Sequence, residues 1–370
     1  MKTENLKHQK QIHRQKSIKK NKRRIKSKSK RGYKLNLLNG IKRIYRRSAL
    51  KMFKNAHKYI LVKCPENFSF VNNTNEFCRF IEKVESLKPA CSKRGLLFNM
   101  VKCRDIDFSG LSVLFLMLYN LKLNNIKVNG YNPEDIKLRL YLNGMEFFET
   151  LLMIDKKYEN IQYNLGDDSD RITIKGDSSV IPRLGLTISR YLSKKLFKDE
   201  THINDGLQRI LLELMSNTTT WSDQKIEKNL WILTIYYNQE DNSMHFAFAD
   251  YGIGILNSIK NSAEHSKWLS NFNVPVFENT DCNIFKSMLN GDTSKYKSST
   301  GHYFRGKGIP SLKKAISNNY INNLQIITNG VYSNVELDVF SPIESEFSGT
   351  FVTWTINDKN NFYINEEIFN

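Results

Sequence analysis

Apolar positions along residues 58–150 switch between two periods. KYILVKCP (58–65), GLLFNMVK (95–102) and IKVNGYN (126–132) are short runs of strand length. Between them TNEFCRFIEKVESL (74–87) sets Phe77, Phe80, Ile81 and Val84 at helical spacing. RDIDFSG reads as a loop, and LSVLFLMLYNLKL (111–123) is apolar all round, which predicts a buried helix. PEDIKLRLYLNGMEFF (133–148) opens on Pro133, at a predicted helix start. Strands alternating with helices predict an α/β layer domain over 58–155. Residues 151–180 are polar apart from the predicted strand DRITIK (170–175), and a boundary is expected between 155 and 165.

The pattern changes at residue 203. In INDGLQRILLELMSNTTTW, Leu207, Ile210, Leu211 and Leu214 mark one helix face. Glu213 and Asn217 fall together roughly 90° from the centre of that face, at the rim of the buried stripe. LWILTIYYN (230–238), a polar turn QEDNS and MHFAFAD (244–250) predict two antiparallel strands. The second strand runs into DYGIGI, where Gly252 and Gly254 let the backbone turn sharply after Asp250. STGHYFRGKGIPSL follows, with Gly301, Arg305, Gly306, Lys307 and Gly308 ahead of a predicted helix that takes Pro310 in its first turn. SGTFVTWTI (348–356) is a late strand with Gly349 and Thr350 at its start.

These residue types suit a nucleotide. Glycine amides at a helix entrance attract an anion, and Arg305 and Lys307 add cationic donors. Mg²⁺ needs few protein ligands when phosphate oxygens supply the rest, so one amide oxygen suffices. A carboxylate one turn away can orient a water or a serine hydroxyl for in-line attack. The plainer alternative for Glu213, Asn217 and Lys307 is a solvated edge.

Charge separates the chain again. Residues 1–58 hold 22 of the 56 basic residues and one of the 37 acidic ones, Glu4, which makes +21; the rest has 34 basic and 36 acidic residues, or −2. KSIKKNKRRIKSKSKRG has too few apolar residues to offset the entropy of ordering, and a short basic amphipathic helix is expected over 41–56. Nothing reads as a membrane span or a secretory signal. Five cysteines without a CxxC pair argue for reduced thiols rather than zinc or disulfides.

Two resemblances follow from these residues. Over about 58–150, the order strand, IDFSGL, buried helix, IKVNGYNPEDIKLRLYLNGMEFF resembles a STAS domain, the fold of bacterial anti-sigma-factor antagonists. That likeness implies Ser109, in Asp107-Phe108-Ser109-Gly110, as the position of a phospho-acceptor; Phe108 departs from the family's Asp-Ser-Ser-Gly. The plain alternative is that Ser109 caps the helix. Over about 180–358, four pieces in order resemble the GHKL (Bergerat-fold) ATPases, which include histidine kinases, MutL, gyrase B and the anti-sigma serine kinases. The likeness implies ATP and Mg²⁺ as cofactors, Asn217 as the Mg²⁺ ligand, Glu213 as general base and Asp250 at the adenine amino group. It also implies Gly252 and Gly254 in the nucleotide floor, 256–305 as a lid, Arg305, Gly306, Lys307 and Gly308 around the phosphates, and Thr350 near adenine. Trp221 stands where the anti-sigma kinases usually carry His. No dimerisation helix with an acceptor His precedes the ATPase segment, and His202 reads as a surface residue.

The expected architecture is therefore a basic tail over 1–57, a STAS-like α/β domain over 58–155 and a Bergerat-fold α/β sandwich over 165–360. The expected function is a bacterial, cytoplasmic, ATP- and Mg²⁺-binding regulator: an ATPase or protein serine kinase coupled to the STAS-like module, through which a protein partner would bind. The alternative is a nucleic-acid-associated ATP switch that uses the basic tail. A homodimer is left open.

Overall fold

The computed structural model describes residues 58–92, 94–147, 150, 170–177, 180–220, 230–260, 280–291 and 308–364. The chain divides into two compact units, 1–60 and 61–370. Nearly all of the first unit lies outside the described residues, including the basic tail and the helix expected over 41–56. The second unit is a mixed α+β fold.

Its first part runs β1 (Tyr59–Lys63), β2 (Asn67–Phe68), α1 (Thr74–Leu87), β3 (Gly95–Asn99), β4 (Asp105–Ile106), α2 (Phe108–Leu123), β5 (Val128–Tyr131) and α3 (Ile136–Gly144). The sheet order is β1-β3-β5, with β3 and β5 parallel from Leu96–Val128 to Asn99–Tyr131. RDIDFSG, expected as a loop, contains β4, which pairs in parallel with β2. Asp107 rather than Ser109 caps α2, its carboxylate accepting from the Gly110 N–H at 2.9 Å. Pro133 lies ahead of α3, which Asp135 caps by accepting from the Lys137 N–H at 2.7 Å. An Asp side chain meets an orphan donor of the first turn, which a proline cannot do.

The second part runs β6 (Arg171–Asp177), α4 (Leu184–Phe197), β7 (His202–Ile203), α5 (Asp205–Thr220), β8 (Leu230–Asn238), β9 (Ser243–Tyr251), α6 (Ile255–Lys260), α7 (Asp281–Asn290), α8 (Gly308–Ser317), β10 (Asn322–Asn334), β11 (Val339–Asn357) and β12 (Tyr363–Ile364). Five strands form an antiparallel sheet in the order β10-β11-β9-β8-β6. Alternate residues point to opposite faces. Trp231, Leu233, Phe246, Phe248, Val352 and Trp354 face one side and pack with Leu207, Ile210, Leu211 and Leu214 of α5, together with α4, α7 and α8.

Helices α1 and α2 of the first part cover the other side, lying against β8, β9 and β11. There β9 presents the small Ala247 and Ala249, both fully buried. Ser112 Oγ and Thr234 Oγ1 meet at 2.5 Å, and the Phe70 ring sits 5.1 Å from those of both Phe347 and Phe351. Arg79 pairs with Glu344 at the exposed edge of this contact. The all-round apolar character of α2 has its cause here, because the helix is enclosed by its own small sheet and by the five-stranded one.

Candidate functional site

The helix face of the five-stranded sheet carries the polar cluster. Asp250 ends β9 and is 5 % exposed. It pairs with Thr350 of β11, whose N–H donates to Asp250 Oδ1 at 3.0 Å. Thr218, one turn past Leu214 on α5, brings its hydroxyl to 3.3 Å from Asp250 Oδ2 and 3.0 Å from the Leu214 carbonyl. Burial pushes the Asp250 carboxyl up to about 7, against the opposing pull of the Thr350 and Thr218 hydrogen bonds. Among the described residues no cationic side chain forms an ion pair with it. A buried carboxylate held by neutral donors and no cation is costly, and such groups concentrate at functional sites.

On α5 the Leu207, Ile210, Leu211 and Leu214 face is buried, and Glu213 and Asn217 are half-buried at its rim. Burial raises the Glu213 pKa, and the neighbouring Asn217 amide partly offsets that. The Asn217 Nδ2 is itself buried and, among the described residues, meets no acceptor in hydrogen-bond geometry. Gly308, the first residue of α8, lies directly against Glu213, and a Cβ there would overlap the carboxylate. A side chain at 308 would push the Glu213 carboxylate from this place, and the N-terminal end of α8 favours a negative charge beside it.

After Asp250 the chain passes through Gly252, close to Asp250 Oδ1, and Gly254, which adopts φ +79° before α6 begins. Hydrogen bonds from β10 hold this loop. Thr328 Oγ1 accepts from the Ile255 N–H at 2.9 Å, and Asn329 Oδ1 accepts from Leu256 N–H at 3.0 Å and Asn257 N–H at 3.2 Å. No motif pointed to Thr328 or Asn329. Their strand, NLQIITNGVYSN, carries other polar residues, among them Gln325 and Ser333, so residue type alone did not single them out.

The structure thus brings Asp250, Thr350, Gly252 and Gly254 into one group, and Glu213 and Gly308 into direct contact. Arg305, Gly306, Lys307 and Trp221 lie outside the described residues. Within the segment expected as a lid, α7 is anchored in the core through Ile284, Phe285, Met288 and Leu289, and Lys260 pairs with Asp281 at 2.8 Å. His202 is half-buried rather than a plain surface residue: its ring stacks on Phe197 with centroids 4.1 Å apart, and Nδ1 lies 2.8 Å from Asp199.

Ser109 lies on the other side of the sheet. It is buried, donates to Asp107 Oδ1 at 2.6 Å and accepts from the N–H groups of Phe70 and Val71 at 3.0 and 3.2 Å. Helix α2, which carries it, covers the Thr234 face of β8, whereas α5, which carries Glu213, covers the Leu233 face. Within one chain the sheet stands between Glu213 and Ser109. Burial pushes the Cys78 and Cys103 thiols up to about 12, which leaves them protonated and unreactive at neutral pH.

Comparison of the chain with protein-family models and with curated proteins finds no match in either. Among the described residues no helix is long and apolar enough to cross a membrane, and no group of three or more His, Cys, Asp or Glu could hold a metal ion.

Proposed function

We propose that residues 165–360 form a Bergerat-type site for ATP and Mg²⁺, and that residues 58–155 form a STAS-like layer fixed to its sheet. Asp250 carries this reading: a carboxylate buried at a strand end, without a cation among the described residues, beside a left-handed glycine and a glycine-containing turn. A carboxylate so placed accepts from a donor that reaches it, and the exocyclic amino group of adenine is such a donor. Thr218 and Thr350 hold both carboxylate oxygens in position.

The remaining donors fit a nucleotide. Turning the Asn217 amide about χ2 presents Oδ1 where Nδ2 has no partner, which suits one ligand of a Mg²⁺ otherwise held by phosphate oxygens and water. When bound, ATP supplies an activated phosphoryl group. Glu213, on α5 and against the first residue of α8, with its pKa raised by burial, would orient the attacking hydroxyl and take its proton, ADP being the leaving group. In this reading the attacking hydroxyl belongs to water or to a serine of another molecule, because the central sheet separates Glu213 from Ser109 of the same chain. The protein is on this account a cytoplasmic regulator that turns over ATP, with the STAS-like layer as the side offered to a protein partner.

The test is equilibrium binding and turnover of Mg·ATP by the full chain. Asn217→Ala is expected to lose Mg·ATP binding, while Glu213→Ala keeps binding and loses turnover. Wild-type protein that binds no adenine nucleotide, with or without Mg²⁺, ends the proposal.

A further inference from the structure

We propose that Asn329 is a positioning residue that sets the conformation of the loop Tyr251–Asn257, and through it the floor beside Asp250. This inference rests on the nucleotide reading for its consequence, although not for its geometry.

The first N–H groups of a helix have no partner inside the helix and are usually met by the residue that precedes it. In α6 they are met from a strand more than 70 residues away. Asn329 Oδ1 accepts from Leu256 N–H and Asn257 N–H, and Thr328 Oγ1 accepts from Ile255 N–H. Asn329 Nδ2 also donates to the Ile253 carbonyl at 2.8 Å. Thr328 Oγ1 in turn donates to the Gly349 carbonyl at 3.0 Å, which ties the same loop to the residue before Thr350. Of the uncharged side chains only Asn and Gln offer both an acceptor with two lone pairs and an N–H donor at one end. Asp would keep the two accepted bonds and set a carboxylate oxygen against the Ile253 carbonyl.

Backbone geometry places this side chain. The β10–β11 ladder runs Thr328 to Thr350 and then jumps from Asn329 to Phe347, so Ser348 and Gly349 are extra residues on β11. Such a bulge re-aims side chains, and it lies beside Asp250. Asn329 has φ +50°, a left-handed conformation that Asn tolerates better than most residues. Its amide is 1 % exposed and occupies the space where a Cβ on Gly254 would fall. Gly254 and Asn329 therefore require one another: the loop passes so close to the amide that no side chain fits between.

Asn329→Gly tests this, since glycine accepts the left-handed backbone and removes only the side chain. Two readouts apply, both on the full chain. Amide hydrogen exchange at Leu256 and Asn257 is expected to speed up by about tenfold or more, with β8 and β9 unchanged, because those N–H groups lose buried acceptors. The dissociation constants for ATP and for adenosine are expected to rise together, by about tenfold, because the base end is disturbed and the phosphate end is not. Asn329→Asp, which keeps the volume and the accepted bonds and loses only the donor to the Ile253 carbonyl, is expected to keep exchange protection at Leu256 and Asn257; loss of that protection in Asn329→Asp overturns the proposal even where the glycine variant does not fold. Unchanged exchange at Leu256 and Asn257 in Asn329→Gly overturns the proposal, as does weakened ATP binding with adenosine unaffected. If the wild-type chain binds neither ligand, the nucleotide reading falls, and the exchange rates alone decide the positioning role.

Discussion

The two faces of the five-stranded sheet are built to different ends. The face toward α1 and α2 satisfies its groups: Phe70 fits among Phe77, Phe347 and Phe351, Ser112 meets Thr234, and the Tyr251 hydroxyl donates to Glu85 at 3.1 Å. The face toward α5 and α8 instead accumulates costs near the end of β9 and the bulge of β11. Among the described residues these are a buried carboxylate without a cation, an unmet Asn217 Nδ2, left-handed Gly254 and Asn329, and a glutamate against Gly308. Both faces use one set of strands, so the difference cannot lie in strand propensity. A buried carboxylate gathered with these groups at one corner is what makes that corner the candidate site.

Three experiments would break or sharpen that contrast. The largest effect is expected on the quiet face. Phe70→Ala removes a fully buried ring and should cost about 3–5 kcal/mol. If the layers form one cooperative body, chemical denaturation will show a single transition at lower midpoint; two separated transitions would mean that the 58–147 layer folds by itself.

The next effect has the opposite sign. Asp250 is raised from 3.8 to about 7, so over that range the folded chain holds a proton that the unfolded chain has released. Stability therefore falls as pH climbs from about 4 to about 7 and stays lowered above it, by at most about 4 kcal/mol. Asp250→Asn removes that cost and keeps an acceptor for the Thr350 N–H. It should raise the melting temperature at pH 8, leave it nearly unchanged at pH 4 and abolish nucleotide binding. In the wild type, binding should weaken as pH drops below 7, because the protonated carboxyl is a poorer acceptor. A destabilised Asp250→Asn protein at pH 8 would show that the carboxylate serves the fold.

The smallest effect separates packing from hydrogen bonding on the quiet face. Ser112→Ala leaves Thr234 with a long bond to the Ala247 carbonyl at 3.4 Å and should cost about 1 kcal/mol in thermal or denaturant unfolding. It should leave nucleotide affinity untouched. A change in affinity would reveal coupling through the sheet.

Much of the fold was legible because it rests on local periodicity. The 14-residue helix Thr74–Leu87 and the strand Leu230–Asn238 fall where the apolar pattern put them. The rim position of Glu213 and Asn217 followed from 3.6 residues per turn. Helix α4 and strand β10 carried no motif, and β11 extends well before SGTFVTWTI, back to Val339. Asp250 with its following glycines stood out because residue type and spacing together are informative there. Asn329 did not, because its partners lie some 73 residues away in the chain.

The sequence by itself determined the strongly periodic helices and strands, which face of α5 is buried, and that the positive charge is concentrated before residue 59. Only the tertiary structure decided that α2 lies on the second sheet, that Ser109 is enclosed and on the far side from Glu213, and that a strand from late in the chain caps α6. Periodicity and composition are local properties, set by backbone geometry and solvent. Which buried polar group meets which partner depends on how distant segments close on one another, and no local pattern encodes that closure.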